Sequence, residues 1–417
     1  MNVVAPEGSP PQGHSPLGAS GTHCWMHCPG SVGLAYGIDD EEDDTFSRPG
    51  TVAHVLGEFC LKTKRAPWQF VGWHYDIGYP GFVDLKVCDP TEHSPDLEPI
   101  DKEMADAVQV YLDAIEAWHP ERHQGNTWVE RRFHCPTIHR LFYGRADLVH
   151  LDLEARVLHV WDYKHGAGIM VEVDDNPQGK YYACGVLEDL DLWNEVDEVV
   201  LHIVQPRGYL DPHRVCKVST DDLDVWMGDV LVPAMDAALV SRNTKSGEHC
   251  RFCPVRYRQC PSLMQDMEEL ETMLKELEGR TAEELTNEQV SRILDLFGLA
   301  KIVNKAAEQT AFKRLQNGKP VPGYKLASAR ANRTWKDEDK AKAVLEKTYG
   351  ERAYTAPKLL SPAQIEALPL GAAIVAEHAY KPETGLTVVK GTDARPAVNK
   401  ETKSLFQPVT RKGKVLA

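Results

Sequence analysis

A mixed α/β fold is predicted by three features of the 417-residue chain. Four short segments are rich in β-branched and aromatic residues: "TWVERRFHC" from Thr127, "YGRADLVHLDL" from Tyr143, "RVLHVWDYK" from Arg156 and "EVVLHIVQPR" from Glu198. Such segments suit a pleated, half-buried surface. Between the third and fourth lies "NPQGKYYACGVLEDL", a helical segment, so the order strand, strand, strand, helix, strand requires at least one crossover. The composition, 42% hydrophobic and 26% charged, allows a sizeable core.

The elements follow in order. Residues 1–20, "MNVVAPEGSPPQGHSPLGAS", are a Pro, Gly and Ser mixture that reads as a disordered leader. It has neither the basic start nor the apolar core of a signal peptide. A helix begins near Thr51. "DKEMADAVQVYLDAIEAWH" places apolar residues at 104, 107, 108, 111, 112 and 115, one face of an amphipathic helix. The four strands and their crossover helix come next. From about residue 262 the chain turns helical and charged. Thr281 to Glu284 and Thr286 to Gln289 are capping-box patterns, the second opening a long helix to about Gln316. "NGKPVPGYK" breaks it, and the pattern fades beyond Pro357. The expected organisation is therefore a leader over 1–20 and an α/β domain over 21–265. A helical, basic extension over 266–345 and a C-terminal region with a basic tail over 346–417 follow.

The formal charge of −15 argues against a uniformly basic nucleic-acid surface, but the charge is segregated. Residues 39–44 are "DDEEDD". From Lys301 to Lys336 nine Lys/Arg face one acid, Glu308, a balance of +8; from Lys390 onwards seven face two, a balance of +5. Tyr324 and Trp335 sit within the first basic stretch, a mixture suited to phosphate contacts and base stacking on single-stranded nucleic acid or to a solvated helix and loop. No apolar run approaches the roughly 20 residues of a membrane span, so no membrane association and a cytoplasmic location are expected.

The site is suggested by "VWDYKHG", where Asp162 and Lys164 lie two apart on a strand and so share a face before the chain breaks at Gly166. A surface ion pair and an active-site pair both fit that spacing. The hairpin around Leu153 to Arg156 narrows the choice. With a four-residue loop, opposed positions sum to 309: Asp152 faces Val157, Leu151 faces Leu158, Val149 faces Val160, and Asp147 faces Asp162. Two opposed carboxylates repel unless a cation lies between them, and a divalent ion is the natural occupant. Glu130 in "WVERRF" reads as a solvated charge.

Taken together, Gly144-Arg-Ala-Asp147, Asp162-Tyr-Lys164 and Gln178-Gly-Lys-Tyr-Tyr182 resemble the PD-(D/E)XK nucleases. Within them they are similar to the RecB-like exonuclease branch, including its phage-type and CRISPR-associated members. The resemblance implies a restriction-endonuclease-like mixed central sheet flanked by helices, with a mainly helical C-terminal extension. It also implies His54, on the helix of "GTVAHVLGE", as a metal ligand, with Glu58 one turn on. Mg²⁺ or Mn²⁺ would be held by His54, Asp147, Asp162 and the Tyr163 carbonyl. Lys164 would orient the attacking water or neutralise developing charge. Gln178 and Tyr182, on one helix face, would hold the DNA strand.

Ten cysteines are present, and Cys250, Cys253 and Cys260 form a C-x2-C-x6-C cluster that needs a fourth ligand. Spacing alone does not separate zinc from an iron–sulfur cubane. The resemblance favours a [4Fe–4S] cluster with Cys28 from "CWMHCPGS" as the upstream ligand and Cys24 as its rival. Zn²⁺ is the alternative metal. The remaining cysteines read as core thiols. The expected function is metal-dependent hydrolysis of DNA, as an exonuclease in recombination, repair or replication. Single-stranded DNA or DNA ends and a recombination or single-strand-binding protein would be its partners, and the host cytoplasm its location if it is phage-encoded. The alternatives are a non-catalytic DNA-binding factor that keeps the fold and cluster, and a zinc-binding regulator.

Overall fold

The computed structural model describes residues 13–36, 44–85, 96–118, 126–166, 170–208, 211–257, 260–279, 284–328 and, with further breaks, 334–390. The acidic run up to Asp43, the first capping box at Thr281 and the basic tail beyond Lys390 lie outside them. Two compact units, Met1–Ile302 and Val303–Ala417, divide the chain within one long helix.

The first unit is a mixed α/β structure. Its elements run α1 (Thr22–Trp25), α2 (Gly30–Ala35), α3 (Asp44–Thr63), β1 (His74–Asp76), β2 (Gly81–Val83), β3 (Leu97–Pro99) and α4 (Lys102–Trp118). Then come β4 (Thr127–His134), β5 (Tyr143–Asp152), β6 (Val157–Tyr163), α5 (Pro177–Asp189), β7 (Glu198–Val204) and β8 (His213–Ser219). Helices α6 (Thr220–Trp226), α7 (Val232–Val240) and α8 (Pro261–Glu276) follow, and α9 (Asn287–Gln316) begins in this unit and ends in the second. The central sheet has the order β4-β5-β6-β7-β8, with β6 and β7 parallel and the other neighbours antiparallel. Helix α5 is the crossover between β6 and β7. A small antiparallel sheet, β2-β1-β3, precedes α4.

Two apolar layers cover the central sheet. Tyr181, Cys184 and Leu187 of α5 pack with Leu158 and Val160 of β6 and with Leu223 and Leu231 after β8. On the other face, Val52 and Leu56 of α3 and Val108 and Tyr111 of α4 pack with Leu148, Trp161 and Tyr163. Strand β6 is therefore buried on both faces, which suits its apolar and aromatic residues at 157, 158, 160, 161 and 163. The amphipathic face of α4 buries Met104, Ala107, Val108, Tyr111 and Ile115, as its periodicity requires. The capping box at α9 is reciprocal: Gln289 N–H donates to Thr286 Oγ1 at 3.2 Å and Thr286 N–H to Gln289 Oε1 at 3.1 Å.

Three features depart from the sequence reading. Residues assigned to a disordered leader are packed from Ser15 on: its hydroxyl donates to Leu141 O at 2.7 Å, and Leu17 is fully buried. Strand β8, "HRVCKVS", is an additional edge strand whose polar, half-buried pattern hid it. In the second unit, Trp335 packs against a small core around Leu345 and Val375, which leaves Tyr324 as the exposed ring of the pair.

A row of histidines crosses the sheet. His159 Nδ1 lies 3.0 Å from His202 Nε2, and His202 Nδ1 lies 3.0 Å from His213 Nε2. Trp161 stacks on His202 with ring centroids 3.7 Å apart. Burial, and then the charge of His150, push His159 down to about 4. The folded protein thus binds fewer protons than the unfolded chain once the pH drops below about 6.5, the free histidine value. Stability is complete above that pH and is lost as it falls towards 4, by on the order of 3 kcal/mol for this one group. Melting temperature should therefore fall between pH 7.5 and pH 5, and His159→Gln should flatten the slope. An unchanged slope in that variant contradicts the assignment.

Candidate active site

The β5–β6 register follows the 309 sum over all five recorded pairs, from Asp152 with Val157 to Leu148 with Trp161. The backbone ladder stops one residue short of Asp147 and Asp162. There the Asp147 carboxylate takes the place of a ladder carbonyl and accepts the Tyr163 N–H at 2.8 Å. Strand β6 stays paired with β7 through Tyr163, and Lys164 N–H donates to Val204 O at 2.8 Å. The hairpin opens while its second strand stays anchored, and both carboxylates line the cavity at the sheet's end.

The β4–β5 pair is interrupted at the same level. Positions 129 with 148 and 131 with 146 are paired, but Glu130 and Asp147 between them are not. Glu130 has φ +58°, a left-handed conformation rare for a non-glycine residue and characteristic of strained functional positions. The consequence is a switch of side-chain parity. Trp128 packs with the α5-side layer and Val129 with the α3–α4 layer, yet Phe133, which alternation would send the other way, returns to the α5 side. Asp147 is the matching switch on β5, where Val149 and Ala146 share a layer.

Glu130 is consequently not a solvated charge. Its side chain is only 10% exposed, and Oε2 lies 2.6 Å from Arg145 Nε. Together with His54 and Asp147 it forms the group of metal-ligating side chains whose donor atoms, among the described residues, all lie within 4.8 Å of one another. His54 Nδ1 is 3.4 Å from Asp147 Oδ1. Burial opposes charge on both, but their mutual attraction holds His54 above and Asp147 below their ordinary values. Burial and then the Asp147 charge push Glu130 up to about 7. A divalent cation would relieve the repulsion between the two carboxylates, and an imidazole with two carboxylates is a mixed nitrogen and oxygen donor set that could hold one.

Asp162 stands beside that triad in a second network. Lys164 Nζ reaches its two oxygens at 3.0 and 2.8 Å and also donates to Gln178 Oε1 at 2.9 Å. Gln178 Nε2 donates to the Tyr182 hydroxyl at 3.3 Å. Burial raises the Asp162 carboxyl despite the lysine. The Asn176 side chain caps α5 by accepting Gly179 N–H at 3.0 Å, and Pro177 occupies the first helical position. That start aims Gln178 and Tyr182 at the end of β6. Both networks line one cavity of about 530 Å³. The chain from Gly13 to Ser20 forms part of its wall, so the packed leader is also part of the site.

The cysteines gather at a different corner. Helix α1 packs against the turn Glu248–Phe252, and α2 against Pro254–Tyr257. Cys24, Cys28, Cys250, Cys253 and Cys260 are all buried free thiols. Lys245 N–H points at Cys28 Sγ, 3.3 Å away, and Cys24 Sγ donates to Ser31 Oγ at 3.7 Å. Both candidates for the upstream ligand are thus present here. Hydrogen bonding to Cys253 lowers the Cys24 thiol, whereas burial pushes Cys250 up to about 11. Gly30 fits where it is because a Cβ would collide with the Asn243 carbonyl, whose oxygen accepts the Gly30 N–H at 2.9 Å.

The chain belongs to DUF2800, a family described as proteins of unknown function, whose model matches residues 14–396. A solved structure described as "Crystal structure of SSO0001" is 12% identical over 38% of this chain and 71% of that one, with a TM-score of 0.22, too low to assign a fold. No helix among the described residues is long and apolar enough to cross a membrane.

Proposed function

We propose that this DUF2800 protein is a metal-dependent deoxyribonuclease, acting as an exonuclease on DNA strands or ends. In this reading it is a RecB-like member of the PD-(D/E)XK superfamily with a restriction-endonuclease-like core. One observation carries the proposal: the interrupted ladders at Glu130, Asp147 and Asp162 put a metal-suited triad and the Asp162–Lys164–Gln178 network in one cavity. A bare binding surface does not require a half-buried lysine held between a carboxylate and an amide.

His54, Glu130 and Asp147 would hold a divalent ion, with Asp162 adjacent. Such an ion supplies a polarised phosphate and a water of lowered pKa. The chain's own contribution is positional and electrostatic. Asp162 and Gln178 fix the Lys164 ammonium, which can orient a water or offset charge developing on phosphate oxygens. Tyr182 braces Gln178.

Cys28, Cys250, Cys253 and Cys260 would hold a [4Fe–4S] cluster. The same buried thiols could hold Zn²⁺ instead, which is the alternative metal. The setting we propose is DNA recombination, repair or replication in the cytoplasm, that of the host if the protein is phage-encoded. A recombination or single-strand-binding protein would be its partner.

The test is to incubate purified protein with end-labelled linear and circular DNA in Mn²⁺, Mg²⁺ or EDTA. Shortening of the linear substrate only when metal is present is expected. DNA binding without cleavage in either metal would favour a non-catalytic factor and sink the proposal.

A further inference from the structure

The "ERR" of β4 places two consecutive arginines in opposite circumstances. Arg131 is neutralised by Asp189 of α5, 2.5 Å away. Arg132 is exposed, lines the cavity, and is joined to no other described residue by an ion pair or hydrogen bond. Its directly opposed partner across the ladder is Arg145, which also lines the cavity. Opposed side chains of an antiparallel pair have Cβ atoms roughly 5 Å apart, and like charges there are destabilising. A single carboxylate, Glu130, answers the two guanidiniums. Among the described residues, the Arg132 guanidinium on the cavity wall thus has no ion-pair partner.

The position of the pair says what it is suited to bind. Arg132 and Arg145 lie two residues along their strands from Glu130 and Asp147, a separation of roughly 6 Å. That is comparable with one nucleotide step along a single strand. Guanidinium forks match phosphate oxygens in planar, charge-assisted geometry, and two forks can embrace one diester. We infer that Arg132, with Arg145 beside it, forms a subsite for the phosphate next to the one that reaches the carboxylates, and so sets the register of the bound strand. This rests on the nuclease reading for the identity of the ligand, and its test does not depend on cleavage.

Binding of fluorescein-labelled dT10 is measured by anisotropy in Ca²⁺ over a series of salt concentrations, for the wild type, Arg132→Ala and Arg132→Lys. Arg132→Ala should bind about tenfold more weakly, and its salt slope should be shallower by roughly 0.7, the loss of one phosphate contact on a single strand. Arg132→Lys should restore the slope but only part of the affinity, because charge is retained and the fork is lost. Unchanged melting temperature and circular dichroism establish that the exposed substitution leaves the fold intact. Equal affinity and slope for Arg132→Ala, or no binding by the wild type, overturns the inference. A clear Arg132 effect on binding in a protein that cleaves no DNA would leave the subsite standing and overturn the nuclease reading alone.

Discussion

Asp147→Asn is expected to reduce Mn²⁺-dependent DNA cleavage by about a thousandfold, the order typical of removing one principal electrostatic contributor from an active site. Asparagine is the informative replacement because it is nearly isosteric. Its amide oxygen can still accept the Tyr163 N–H that Asp147 receives at 2.8 Å, so the mouth of the hairpin keeps its shape. What disappears is one negative charge facing His54 and Glu130. With that charge gone, burial and the Lys164 charge act against only the remaining attraction of Asp162, and the His54 imidazole should titrate at lower pH than in the wild type. Initial rates on end-labelled DNA, together with calorimetric titration of Mn²⁺, separate lost chemistry from lost metal binding. Cleavage above one tenth of the wild-type rate would falsify the role given to Asp147.

Much of this arrangement was legible because strand pairing obeys arithmetic. Fixing a four-residue loop at Leu153 to Arg156 determines which residues face one another, and the ladder keeps that register over its recorded length. The period-3.6 pattern of α4 and the capping box at Thr286 were legible for similar reasons, since each is a local rule with a local signature. Glu130 was not legible as a site residue. Its place depends on a left-handed backbone that inverts the parity of β4, and alternation is the rule by which a strand is read. Its register with Asp147 follows only once the β4–β5 pairing is known. The packing of Ser15 and Leu17 was invisible for a different reason. A Pro- and Gly-rich segment carries no periodic signal, and its order comes from Leu141 and the α5-side core, more than a hundred residues away. Strand β8 needs β7 beside it to be recognised as a strand.

The second large effect concerns the cysteines. Cys253→Ser should yield colourless protein that melts on the order of 10 °C lower, whereas the wild type, purified without oxygen, should be brown. The magnitude follows from topology. A centre joining Cys28 to Cys250, Cys253 and Cys260 closes a loop of more than two hundred residues. Loop-closure entropy rises slowly with length, and a cross-link of this span removes roughly 5 kcal/mol from the unfolded chain's advantage. The thiols cannot supply that stabilisation as a packed cluster alone. Cys250 and Cys28 are both raised by burial, so without a metal they sit as neutral groups linked by weak contacts. Cys216, half-buried on the edge strand β8, is the control, and Cys216→Ser should leave both colour and melting temperature unchanged. Colourless wild-type protein containing one equivalent of zinc would replace the iron–sulfur assignment with the tetrahedral one. Equal melting temperatures for the wild type and Cys253→Ser would remove the structural role of any metal at this corner. Because the corner joins α1 and α2 to the turns before α8, while Gly13 to Ser20 wall the cavity just upstream, the loss should reach the site as well. The Cys253→Ser variant should therefore bind Mn²⁺ more weakly even at temperatures where its sheet remains folded.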